Sequence, residues 1–251
     1  MRIMLTALLV FAACPAIVQN KEKASTTDLS PRTALAFKVS DAAVRKLLPA
    51  GFQVNSPTAG PSKGANINLV LIDYLMVQDM QGKPLPSRTT AALIVPSKNT
   101  AGEAVGLVVG GLIAKGGAPG PYFVYEPANA SVDRRSHTDA DGKSIVDETW
   151  EIRGDDGNSL QVELQFARSV LARDKAESKV YSAAKPDVYR IYQFEYAADV
   201  ARSTATGIDR VSTFSFKASG PKLALLFDGS QQLISIISAA FYSRTTYLPA
   251  I

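Results

Sequence analysis

Apolar runs of strand length, each broken by a turn-forming cluster, recur along most of the chain and constrain its fold more than any other feature. Residues 67–77 are rich in Ile, Leu and Val, and 89–96 and 105–114 follow across loops holding Gly82-Lys83-Pro84 and Ala101-Gly102. Segments 144–153 and 159–168 flank Asp155-Asp156-Gly157-Asn158, where Asp-Gly tolerates the positive φ of a tight hairpin. An aromatic strand is expected around Val188, Ile191 and Phe194, a short one over 122–126, and 211–216 alternates with period two. One short helix is expected at 41–48, with Ser40 as N-cap and Pro49 and Gly51 as its stop. Segments 222–227 and 233–241 fit strand or helix equally. No repeat or domain linker interrupts the pattern, so the residues predict one predominantly antiparallel domain, either barrel or sandwich.

Composition narrows the function. With 251 residues, 46% hydrophobic and 20% charged, the chain can bury a sizeable core. One Cys and one His leave no internal disulfide and too few ligands for a Cys/His zinc site. The net charge of +4 is scattered, without the basic and aromatic interleaving of a nucleic-acid surface. At the N-terminus, Arg2 precedes the apolar stretch 3–13, which is too short to span a bilayer and has the layout of a secretory signal. Phe11-Ala12-Ala13-Cys14 also resembles a lipobox, with Cys14 as the lipid-anchored residue; the other cut falls after Ala16. The division is therefore a signal peptide at 1–16, a polar tether at 17–36 and a folded domain at 37–251. The protein is expected to be exported in a bacterium, either periplasmic or held to the membrane as a lipoprotein.

Several short motifs read as loops. Gly60-Pro61-Ser62-Lys63-Gly64 matches G-x-S-x-G, but no helix follows and His137 is the sole candidate base. His137-Thr138-Asp139-Ala140-Asp141-Gly142 with Glu148 has part of a calcium-loop spacing, yet His stands at a ligand position and a β-turn fits better. Gly142-Lys143-Ser144 lacks the upstream glycine of a phosphate loop. Glycines 106–120 do not form a G-x-G-x-x-G leading into a helix and read as a strand with a flexible loop. No motif calls for a metal or nucleotide cofactor.

Taken in order, four segments resemble the acetoacetate decarboxylase superfamily over about residues 37–249. They are 41–52, from Asp41 to Phe52; Asn68-Leu69-Val70-Leu71-Ile72-Asp73-Tyr74; Ala91-Ala92-Leu93-Ile94-Val95-Pro96; and Gly220-Pro221-Lys222-Leu223-Ala224-Leu225-Leu226-Phe227-Asp228. The resemblance implies a mainly β (α+β) fold: a cone-like antiparallel β-barrel with a few short helices, an apolar cavity and homo-oligomeric assembly. It also implies a lysine nucleophile whose pKa is lowered by a second lysine and by desolvation, so that the amine can form an imine with a keto acid. This chain departs there. Arg134 and Arg135 stand where the family carries its lysine pair, and a guanidinium stays charged and cannot be that nucleophile. Glu126 falls where the family has a glutamate, and a second family glutamate falls near Thr90.

Two functions follow from the resemblance. In the first, the chain is a carbon–carbon lyase of decarboxylase type acting on a small keto acid or carbonyl compound. Lys115 is its candidate imine residue and Glu126 a second catalytic candidate, while Arg134 or Arg135 grips a carboxylate through a bidentate fork. In the second, the barrel has lost the imine lysine and binds a small acidic or apolar ligand without turnover, with Arg134 and Arg135 holding an anion. Tyr122 and Tyr125 then line the ligand's apolar side. A surface lipoprotein making protein contacts is a third reading.

Overall fold

The computed structural model describes residues 22–249, so the signal-like segment, Cys14 and the residues up to 21 lie outside the described part. The elements are β1 (Lys23–Leu29), β2 (Arg32–Lys38), α1 (Asp41–Arg45), β3 (Gln53–Val54), β4 (Ile67–Asp73), β5 (Met76–Asp79), β6 (Pro84–Leu85), β7 (Thr89–Lys98) and β8 (Ala104–Ala114). They continue with β9 (Glu126–Thr138), β10 (Ser144–Gly154), β11 (Ser159–Ala167), β12 (Ala172–Ser182), β13 (Tyr189–Ser203), β14 (Ile208–Asp209), β15 (Val211–Ser219), a 3-10 turn at Leu223–Leu225 and β16 (Gln232–Leu248).

Seven strands close into a barrel in the order β7-β8-β12-β13-β16-β2-β4, and β4 returns to β7. The fork that lets a second layer grow lies on β8. Along one edge its first half pairs with β12, at Gly106–Val180 to Val108–Ser182, and its last turn pairs with β9, at Leu112–Glu126 to Ala114–Ala128. Both pairings are parallel, whereas every other ladder of the barrel is antiparallel. Strands β9, β10, β11 and β15 then extend as an antiparallel wing joined by the Asp141-Gly142 and Asp156-Gly157 turns.

Alternation along each barrel strand sends successive side chains to opposite faces. The outward set, including Leu35, Phe37, Leu69, Leu71, Ala91 and Leu93, packs against Val146, Trp150, Ile152, Leu160, Leu164 and Phe166 of the wing as one dry core. Phe37, Phe216 and Phe227 meet there with ring centroids 4.9–5.3 Å apart. The inward set, by contrast, lines an open interior.

Three local expectations change. Residues 17–36 do not form a tether from Lys23 onward; they supply β1 and most of β2, because Asp28 and Arg32 find buried partners inside the barrel. The 122–126 stretch is a loop that becomes strand only at Glu126. Segment 233–241 is strand, and 222–227 is a 3-10 turn. The helix is short but starts as expected, with Ser40 Oγ accepting the Ala43 N–H at 3.4 Å.

Candidate functional site: a cationic, tyrosine-walled cavity

The barrel interior holds a cavity of about 810 Å³, in the range that takes a drug-sized ligand. Its polar centre comes from β1, β2 and β16. Arg32 enters from β2, opposite Ala239 of β16. Arg244 enters from the other half of β16, opposite Phe194. A register shift between Ala197 and Ala198 places a bulge in β16, so the inward residues change from Ile237 and Ala239 to Tyr242, Arg244 and Thr246. Without that extra residue Arg244 would point out of the barrel.

The two guanidiniums share one carboxylate. Arg32 Nη2 donates to Asp28 Oδ1 at 3.0 Å and Arg244 Nε donates to Asp28 Oδ2 at 2.7 Å. Asp28 is fully enclosed, and both arginine side chains are about nine-tenths buried. Arg32 Nε donates to Ser30 Oγ at 3.0 Å, and Arg244 Nη2 donates to the Tyr74 hydroxyl at 3.1 Å. Each cation also lies over an aromatic face: Arg32 3.6 Å from the Tyr242 centroid, Arg244 4.1 Å from that of Tyr192. Two fixed positive charges against one negative leave a surplus cation in a desolvated place. Such a charge is costly unless it is paired or hydrogen-bonded.

The wall adjoining these cations is phenolic. The hydroxyls of Tyr122 and Tyr192 hydrogen-bond to each other, and Ser182 Oγ donates to the Tyr122 carbonyl. Burial pushes the Tyr122 and Tyr125 phenols well above their ordinary range, so both are neutral donors at neutral pH. The Tyr125 ring fits because Gly111 (φ +141) and Gly120 (φ +66) leave it room. A Cβ on Gly120 would lie 2.5 Å from the ring, and one on Gly111 would lie 3.1 Å from it and 2.1 Å from the Ala91 carbonyl. Thr90 Oγ1 and Arg190 Nε, both on cavity-lining residues, are buried without a hydrogen-bond partner.

Solved structures with this architecture are found at low sequence identity. The enduracididine biosynthesis enzyme MppR, complexed with the condensation product of pyruvate and imidazole 4-carboxaldehyde, superposes at TM-score 0.55 with 8% identity, covering 89% of this chain and 87% of that one. An acetoacetate decarboxylase-like enzyme from Sphingomonas wittichii RW1 gives 0.53 with 13% identity, covering 90% and 91%. An acetoacetate decarboxylase gives 0.50 with 7% identity, covering 90% and 88%. The chain has the acetoacetate decarboxylase-like fold. No family model and no curated protein sequence matches it.

Within this decarboxylase-like barrel the sequence-derived candidates scatter. Tyr122 and Tyr125 line the cavity. Lys115 lies outside it, at the turn after β8, more than half exposed and 3.2 Å from Asp155. Glu126 is bound by Lys222 on the same outer side. Arg134 is on the wing, where its Nη2 lies 2.9 Å from Glu148 Oε1 and donates to Thr33 Oγ1 at 2.9 Å. Arg135 faces solvent and pairs with Asp133. Among the described residues no lysine lines the cavity. The residues that sequence reading passed over are Asp28, Arg32, Tyr74, Arg190 and Arg244. The visible signal for them was an arginine set among inward apolar positions, as in Arg32-Thr33-Ala34-Leu35-Ala36-Phe37.

Proposed function

We propose that the barrel binds an organic carboxylate, anchored by Arg32 and Arg244 and enclosed by the tyrosine wall. The observation that carries this reading is the surplus guanidinium in a buried cavity, with Asp28 already shared between two arginines. A carboxylate would complete the charge balance and accept charge-assisted hydrogen bonds from donors preorganised by Asp28, Ser30 and Tyr74. Thr90 Oγ1 offers a further hydrogen bond to the ligand's body. Calorimetric titration of keto acids and simple carboxylic acids, each beside its neutral amide, tests it. The acids should bind and the amides should not, and Arg244→Met should weaken the acids about ten-fold or more. Equal binding of acid and amide would reject the reading.

Turnover is a second reading, supported by the neighbours being described as enzymes and by the Tyr122–Tyr192 pair beside Arg244. In it, the bond between the carboxyl carbon and the α-carbon of a β-keto acid breaks and carbon dioxide leaves. The electron pair passes to the ketone oxygen, which a phenol O–H stabilises as an enolate, and the α-carbon then takes a proton from water. Release of carbon dioxide from acetoacetate, insensitive to borohydride, would establish this amine-free route; its absence would leave binding alone. The lysine-imine route instead needs Lys115, and borohydride trapping on Lys115 would restore it. Export, on the pattern of residues 1–16, and homo-oligomeric assembly belong to the same proposal. Mass measurement of the mature N-terminus and of the native assembly checks both.

A further inference from the structure

The cavity's positive charge does not end at Arg32 and Arg244. Arg88 and Arg190 also line it, and among the described residues Asp28 is the one lining acid, so four guanidiniums face one carboxylate. Neither Arg88 nor Arg190 makes an ion pair among the described residues, and Arg190 Nε is buried with nothing to accept its proton. An unpaired buried donor is costly, so this position suits an acceptor that arrives with the ligand. Arg190 sits on β13 four residues before Phe194, the residue opposite Arg244, which separates the two strand positions by about 13 Å. Arg244 leans over the Tyr192 ring, which lies between them in sequence, so its charge is displaced toward Arg190. Tyr192 and Phe194, the inward residues of β13 from Arg190 up to the position opposite Arg244, provide aromatic wall between the two cationic points. The volume of about 810 Å³ equals about 27 water volumes at ~30 Å³ each, several times what a four-carbon keto acid would fill.

We infer that the ligand is a dicarboxylate: one carboxylate rests on Arg32 and Arg244, its hydrocarbon bridge on the Tyr192 and Phe194 wall, and its second carboxylate on Arg190. This deepens the proposal that the cavity takes a carboxylate and depends on it. Arg190 then determines specificity, because it distinguishes a diacid from a monoacid of the same length.

The test is calorimetry on the folded protein at low salt, with unbranched dicarboxylates of increasing length and the monomethyl ester of each. The best diacid should bind about ten-fold or more tightly than its own monoester. Arg190→Met should reduce that preference to about two-fold or less, and Arg190→Lys should restore part of it. A thermal melt of each variant confirms that it is folded. Monoesters binding as tightly as diacids, or an undiminished preference in Arg190→Met, would overturn this inference and leave the carboxylate reading standing. If no carboxylate binds at all, both fall together.

Discussion

The two faces of the barrel wall are made by the same strands and carry buried charge in opposite ways. On the outer face, between barrel and wing, Glu148 is a fully enclosed acid. It accepts hydrogen bonds from Thr33 Oγ1, Trp150 Nε1 and Ser238 Oγ and pairs with Arg134, the residue directly opposite it in the β9–β10 ladder, although Arg134 Nε is itself buried without a hydrogen-bond partner. Aliphatic and aromatic side chains of the barrel–wing core, Trp150 and Val146 among them, pack around that cluster. On the inner face the arginines outnumber the acid, two polar atoms lack partners, and an open volume adjoins them. A carboxylate whose hydrogen bonds are supplied by the chain holds layers together, whereas a cation left over beside a void awaits something from outside. Thr33 and Arg32 are neighbours in sequence, yet alternation assigns one to each role.

The contrast can be broken from either side. The largest effect is expected at the outer core: Trp150→Ala should cost about 3–5 kcal/mol in chemical denaturation, by cavity formation and loss of its bond to Glu148. Glu148→Gln, which leaves Arg134 without its counter-ion, should cost about 3 kcal/mol in the same assay. If either proves silent, the outer face is not the structural one. Alkaline pH comes next. Tyr122 and Tyr125 have folded pKa values raised above the unfolded value of about 10. Their stabilising effect is therefore fully present below pH ~10 and is lost as pH rises through the raised folded values. Phenolate absorbance should show these tyrosines ionising together with loss of structure. The smallest effect is expected at Lys115→Ala. An exposed lysine paired with Asp155 should change stability by no more than about 0.5 kcal/mol and leave ligand affinity unchanged.

What the sequence made legible follows from which forces were local. The Ser40 cap, the Asp141-Gly142 and Asp156-Gly157 turns and the apolar strands β4, β7 and β8 are visible because their signals lie within a few residues. β1 was hidden because Lys23-Ala24-Ser25-Thr26-Thr27-Asp28-Leu29 is polar, and only Arg32 and Arg244, the latter 216 residues distant, make burial of Asp28 tolerable. β12 was hidden for a related reason: much of it is charged and exposed, and its ladder with β13 supplies what its side chains do not. The site suffered most. Arg244 lies on the inward face through the β16 bulge, and a bulge shifts parity without leaving a residue pattern to read. The arginines at 134 and 135 drew attention by position, while register puts them on the wing.

The most direct measurement of the central claim is a crystal structure of the protein with the tightest-binding carboxylate from the calorimetric panel. A carboxylate group inside the barrel, with oxygens within ~3 Å of nitrogens from both Arg32 and Arg244, is the predicted result. A carboxylate found on the wing arginines, Arg134 or Arg135, with the barrel interior holding only solvent, would contradict it.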